Sequence, residues 1–231
     1  MSLIKLDSIK EYNDKNNNSI SCSRQYDGCT VFFRGSNNKI KIADGALLSN
    51  VIIHMDCDNG ELSIGKHDSV NIPFKGIVRI GQDSKVLIGN NVTCSPIYIS
   101  AVEGAKITIG EDCMFATSII LRSDDSHPIF DVRTGKRVNP AKDINIGNHV
   151  WVGERAMILG GTTIGDGSIV GMGSIVKKKF PNNCILAGIP ARITRKHIAW
   201  ERPHLSLSEP YMKPDSSCVK KSNYWNYTDD V

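Results

Sequence analysis

His127 stands in the run Arg122-Ser123-Asp124-Asp125-Ser126-His127-Pro128, with two acidic side chains just before it. An imidazole titrates close to neutrality, so it is the side chain best suited to take a proton from a weakly acidic group and return it. Asp124 and Asp125 are expected to orient that ring and to stabilise its charged form. Pro128, Gly135 and Pro140 break any strand pattern between Ser123 and Lys142. The histidine therefore sits on a loop of roughly twenty residues, a length uncommon unless functional. Arg122, Arg133, Lys136 and Arg137 bracket it and could attract an acidic acceptor. Thr134-Gly135-Lys136-Arg137 is also ordinary turn chemistry.

The elements that must hold this loop are repeats. An aliphatic residue followed by a small or polar one and two turn-forming positions recurs at Ile42, Ile64, Ile80, Ile88, Ile109, Ile146, Ile164 and Val170. Ile146 to Ile164 is 18 residues and Ile164 to Val170 is six, which corresponds to three hexapeptides per turn of a solenoid. Each short strand points one aliphatic side chain inward, and the residue after it turns a corner that Gly, Asn or Asp tolerates. Stacked coils then bury a column that no single repeat buries alone. The reading is an all-β parallel β-helix over residues 39–192, with the 123–142 loop protruding where Ile109 and Ile146 lie 37 residues apart. Trp151 neighbours the inward Val152, so its ring is expected to face outward.

Residues 1–38, polar and rich in asparagine, read as a lead-in that caps the scaffold, and residues 193–231 as a C-terminal helix and tail. The helix is expected at 193–202, and the tail is expected to lie on the solenoid or on a neighbouring subunit. The 231 residues are 40% hydrophobic, enough for a real core. No stretch resembles a signal peptide or a membrane span, so the chain reads as cytoplasmic with no membrane span. Seven cysteines without a Cys-x-x-Cys pair argue against a disulfide framework and a zinc site. The net charge of +4 is uneven: residues 177–231 carry ten Lys/Arg against five Asp/Glu. That local excess fits a small anionic ligand better than nucleic acid.

Five motifs together resemble the hexapeptide-repeat acyltransferases, nearest to the surface-polysaccharide O-acetyltransferases that include those acting on sialic-acid capsules. They are Asp-Ser-His-Pro-Ile-Phe-Asp (125–131), Thr-Gly-Lys-Arg-Val-Asn (134–139), Ile-Gly-Asn-His-Val-Trp-Val-Gly (146–153), Gly-Met-Gly-Ser-Ile-Val (171–176) and Ala-Gly-Ile-Pro-Ala-Arg (187–192). The resemblance covers roughly residues 80–202. It implies a left-handed helix, against the right-handed rule for crossovers, and acetyl-coenzyme A as co-substrate with no metal.

The resemblance also implies His127 as general base in a ternary complex, with Asp125 beside it and Trp151 lining the cleft. The coenzyme is expected at Trp151, Gly153, Gly171, Met172 and Ser174, its pantetheine arm bonding to backbone at Gly153, Gly171 and Ser174. Lys177, Lys178, Arg192 and Arg195 are expected at its phosphates. Met172 departs from the small residue often found there. Arg122, Arg133 and Arg137 would meet the carbohydrate acceptor, in a site shared between subunits of a homotrimer. The alternatives are an N-acyltransferase acting on an amino-sugar nucleotide, a zinc enzyme resembling carbonic anhydrase, and a non-catalytic scaffold.

Overall fold

Segments such as Lys39-Ile40-Lys41-Ile42 alternate polar and aliphatic residues, so as strands they bury every second side chain. In the computed structural model, which describes residues 3–229, such strands wind into a three-sided parallel β-helix. We call the sides faces A, B and C, of eight, nine and six strands. From Phe74 onward the chain visits them in that order, while the strands before it lie on A and B alone. Ile119–Arg122 lies on A, Ile144–Ile146 on B, Trp151–Val152 on C, and Met157–Leu159 returns to A. All eight repeat aliphatics, from Ile42 to Val170, are buried in one continuous core.

Corners carry two distinct constraints. At Gly65, Gly89, Gly110, Gly147 and Gly165 close stacking leaves the residue after the aliphatic no room for a side chain: a Cβ on Gly147 would fall 2.3 Å from Asp166 Oδ1. Two residues further on, the backbone enters the left-handed region. At the edge between B and C this position is Asn91, Asp112, His149, Gly167 and Asn183, with φ of 56°, 55°, 51°, 66° and 48°. Asn, Asp and Gly reach such dihedrals readily, and His149 is the unusual member.

Three expectations need correction. The spacing of 18 holds for the coil after the loop, where Asn148 N–H donates to Asp166, but equivalent rungs are 24 residues apart at Lys66 and Asn90 and 21 apart at Asn90 and Glu111. Early coils are longer because their strands are: Leu48–Met55 has eight residues where Ile175–Val176 has two.

Coil stacking also begins before residue 39. Ser19–Ser21 pairs in parallel with Lys39–Ile42, and Tyr26–Phe33 with Leu48–Met55, while Ile4–Ile9 closes the open edge of face A antiparallel. Residues 1, 2, 230 and 231 lie outside the described residues.

No helix forms at 193–202. Ala191–Lys196 is a strand that turns back on Cys184–Gly188. β-Branched Ile193 and Thr194 suit a strand, and the free edge of face C offers backbone partners that an isolated short helix would lack. Beyond it the tail packs on the solenoid. Among the described residues no helix is long and apolar enough to cross a membrane.

Candidate active site

The loop leaves the end of Ile119–Arg122 on face A and rejoins at Ile144–Ile146 on face B, so it stands on the edge between them. Its tip is a short hairpin: Val138 N–H donates to Ile129 O, Asp131 N–H donates to Lys136 O, and Phe130 bridges Arg137. His127 lies at the hairpin's root, exposed, its N–H donating to Asp125 O over 2.8 Å.

Neither neighbouring carboxylate is hydrogen-bonded to the imidazole. Asp125 accepts from Asn139 Nδ2 at 3.1 Å, and Asp124 accepts from Ser126 N at 2.7 Å while facing Arg122 Nε at 3.5 Å. The Asp124 carboxylate instead completes a loop turn, and that of Asp125 reaches across the hairpin to Asn139. Beneath the loop lies a cavity of about 90 Å³ lined by Asp124, Asp125, Lys142, Leu159 and Lys177 among others.

The expected acceptor arginines all have partners within or beside the loop. Arg122 bonds Ser126, Arg133 pairs with Asp131 at 2.8 Å, and Arg137 pairs with Glu103 at 2.6 Å. Hydrogen bonds from Arg137 hold the Glu103 carboxyl below the usual carboxylate range, and Arg133 does the same for Asp131. Arg133, with its side chain 84% exposed, keeps most of its surface for solvent.

Trp151 lies on face C, 38% exposed, between Met114 and Ile169. A face lies opposite the edge between the other two, so His127 and Trp151 of one chain are on opposite sides of the prism. The coenzyme set divides likewise. Gly153, Gly171, Met172 and Ser174 lie on or near the edge between C and A, and Arg192 and Arg195 are on the strand closing face C. Lys177 and Lys178 follow Ile175–Val176 and sit on the loop's edge.

At the positions expected to bond the pantetheine arm through backbone, the N–H groups are already engaged within the solenoid. Gly153 N–H donates to Val170 O, Gly171 N–H to Leu186 O and Ser174 N–H to Gly171 O, and the Ser174 hydroxyl accepts from Gly188 N–H. What the edge offers instead is open apolar surface: Met172 is 73% exposed, and a Cβ on Gly173 would meet nothing.

The tail supplies a wall that the sequence did not reveal. Trp200 stacks on the buried His149 ring at 4.1 Å, Tyr224 stacks on the same ring at 4.8 Å, and Trp200 lies 6.0 Å from Trp151. His149 Nδ1 is 2.6 Å from Asp112, whose other oxygen accepts from Arg202 Nε at 2.6 Å. Arg202 also donates to Thr93 Oγ1 and to the carbonyls of Asn91, Asp112 and Cys113. Burial pushes the Asp112 carboxyl up, but the His149 hydrogen bond and Arg202 outweigh it and leave it below 3.8. The one signal in the sequence was a histidine at a corner position otherwise held by Asn, Asp or Gly.

Residues 143–178 match the bacterial transferase hexapeptide family (six repeats). The chain is 46% identical over 132 residues to the polysialic acid O-acetyltransferase of Escherichia coli O1:K1 / APEC, covering 57% of this chain and 43% of that one. It thus spans less than half of that relative. It is 32% identical over 147 residues to the polysialic acid O-acetyltransferase of Neisseria meningitidis, covering 55% of this chain and 68% of the other. The crystal structure of the polySia-specific acetyltransferase NeuO superposes with a TM-score of 0.70 at 38% identity, over 81% of this chain and 84% of that chain.

The chain belongs to the hexapeptide-repeat acyltransferases. The coil of this family is left-handed, so the physical preference for right-handed crossovers does not hold here. In this hexapeptide-repeat chain the matched segment begins just after the loop and contains Trp151, Gly153 and the edge at Met172.

Proposed function

We propose that this chain is an acetyl-coenzyme A-dependent O-acetyltransferase of an acidic surface polysaccharide, acting in the cytoplasm as a homotrimer with sites between subunits. The observation that carries the reading is the braced loop that holds an exposed imidazole at the prism edge, in a chain whose relatives are named for acetyl transfer to polysialic acid. Chemistry at a sugar hydroxyl needs a base, because the neutral alcohol attacks a thioester slowly; a positioned histidine contributes roughly 10²–10⁴-fold.

In the reaction His127 removes the hydroxyl proton as the oxygen attacks the thioester carbonyl carbon. The tetrahedral adduct collapses with cleavage of the carbon–sulfur bond, and the imidazolium returns the proton to the leaving thiolate. No acyl-enzyme forms. Trp151 and the exposed Met172 wall the donor's thioester end, with Gly153, Gly171 and Ser174 shaping the edge rather than donating to it. Arg192 and Arg195 of one subunit, with Lys177 and Lys178 of the next, meet the coenzyme's phosphates. Of the loop arginines, Arg133 is the freest to meet an acidic sugar.

A trimer is required by this reading because it turns the loop edge of one chain toward the next chain's Trp151. The test is transfer of labelled acetyl from acetyl-coenzyme A to polysialic acid. The expected product is an ester labile to mild alkali, formed roughly 10²–10⁴-fold more slowly by His127→Ala. An alkali-stable amide product, or full activity in His127→Ala, overturns the proposal.

A further inference from the structure

Asn139 carries more bonds to the catalytic loop than any residue the reaction itself calls on. Its Nδ2 donates to Asp125 Oδ2 at 3.1 Å and to His127 O at 2.9 Å. Its Oδ1 accepts from Ile129 N at 2.7 Å and from Arg137 Nε at 3.3 Å. Both amide hydrogens and both oxygen lone pairs are thus used. Two acceptors face the NH₂ and two donors face the oxygen, so the partners themselves fix which way the amide points.

These partners lie on both sides of His127. Asp125 precedes it, its own carbonyl is held, and Ile129 follows it. The hairpin partner therefore grips the backbone that carries the imidazole from both sides.

The grip is tied to the rigid coil. Arg137, which reaches Asn139 Oδ1, also donates to Asn139 O at 3.1 Å and to Glu103 Oε1 at 2.6 Å. Glu103 Oε2 accepts from Ala141 N at 3.3 Å. Glu103 is itself a corner residue of the preceding coil, in the left-handed region at φ 56°. The loop thus has a side-chain brace to the scaffold besides its covalent ends.

We propose that Asn139 is the positioning residue for His127, locked to the solenoid through Arg137 and Glu103. This assigns Arg137 to the loop's architecture rather than to the acceptor. The inference rests on His127 being the base.

Its test compares Asn139→Ala and Glu103→Gln in the full chain, each alone and combined with His127→Ala. With labelled acetyl-coenzyme A and polysialic acid, Asn139→Ala is expected to lower kcat by about 10–100-fold, the loss expected when a reacting group is displaced by about 1 Å. The KM for acetyl-coenzyme A and the unfolding midpoint should stay close to wild type, because the loop lies outside the coil stack. Glu103→Gln, which keeps the side-chain shape, should lower kcat in the same way but less.

In the His127→Ala background neither change should reduce the residual rate, since a residue acting through the imidazole has nothing left to position. Inactive His127→Ala together with wild-type turnover in Asn139→Ala would overturn the assignment. An equal further loss in the His127→Ala background, or a raised KM at unchanged kcat, would do the same. Full activity in His127→Ala alone would instead remove the base, and this inference with it.

Discussion

Two inactive chains should restore one another. The loop with His127 stands on the edge between faces A and B, while Trp151 is on face C, the opposite side of the prism. If each site takes the histidine from one subunit and the tryptophan from the next, co-expressed His127→Ala and Trp151→Ala chains rebuild intact sites. Random assembly at equal amounts makes about three-quarters of cyclic trimers mixed, and each mixed trimer holds one site with both residues. One site in three, over those trimers, predicts about a quarter of wild-type activity. The assay is labelled acetyl transfer to polysialic acid by the co-purified mixture, with each parent variant measured alone as baseline. A mixture no more active than its parents combined would refute the shared site and return both residues to one chain.

Other outcomes follow from the scaffold. Gly147→Ala, whose Cβ would sit 2.3 Å from Asp166 Oδ1, should destabilise the fold, by about 1–3 kcal/mol for overpacking, read from a denaturant midpoint. Arg202→Ala removes the tail's bonds to Asp112 and the coil carbonyls; a loss of roughly 2 kcal/mol and faster proteolysis after Trp200 are expected. Because the folded Asp112 carboxyl lies below its ordinary value of 3.8, its contribution is present above that pH and lost as pH falls through the lower folded value. Asp112→Asn should therefore flatten the acid limb of stability against pH. Burial pushes the Cys94 and Cys113 thiols up to about 12, so a thiol reagent should label exposed Cys57 in the native protein and reach those two only after unfolding.

The repeat was legible because its causes are local. A strand with one inward aliphatic and a tight corner after it forces Ile or Val and then a small or polar residue, so the same local pattern marks all eight positions, and all eight aliphatics are buried. The loop was legible for the opposite reason, since Pro128, Gly135 and Pro140 interrupt that rule. The coil length was not. The spacing of 18 after the loop does not hold where strands lengthen to eight residues, because strand length is set by pairing with the neighbouring coil rather than by the six-residue unit.

Side-chain partnership depended still more on the third dimension. Asp125 looked like the partner of His127 because it is two residues away, yet its carboxylate meets Asn139, a neighbour only once the hairpin closes. Arg137 looked like a free cation, and its partner Glu103 lies 34 residues earlier, one coil below. Asp112, His149 and Arg202 come together across 90 residues because the tail folds back along one edge. The sequence by itself determined the solenoid and the place of its one long interruption. Only the tertiary structure decided which charges are already paired and on which side of the prism each functional residue stands, because winding brings together residues a coil or more apart and separates neighbours onto different faces.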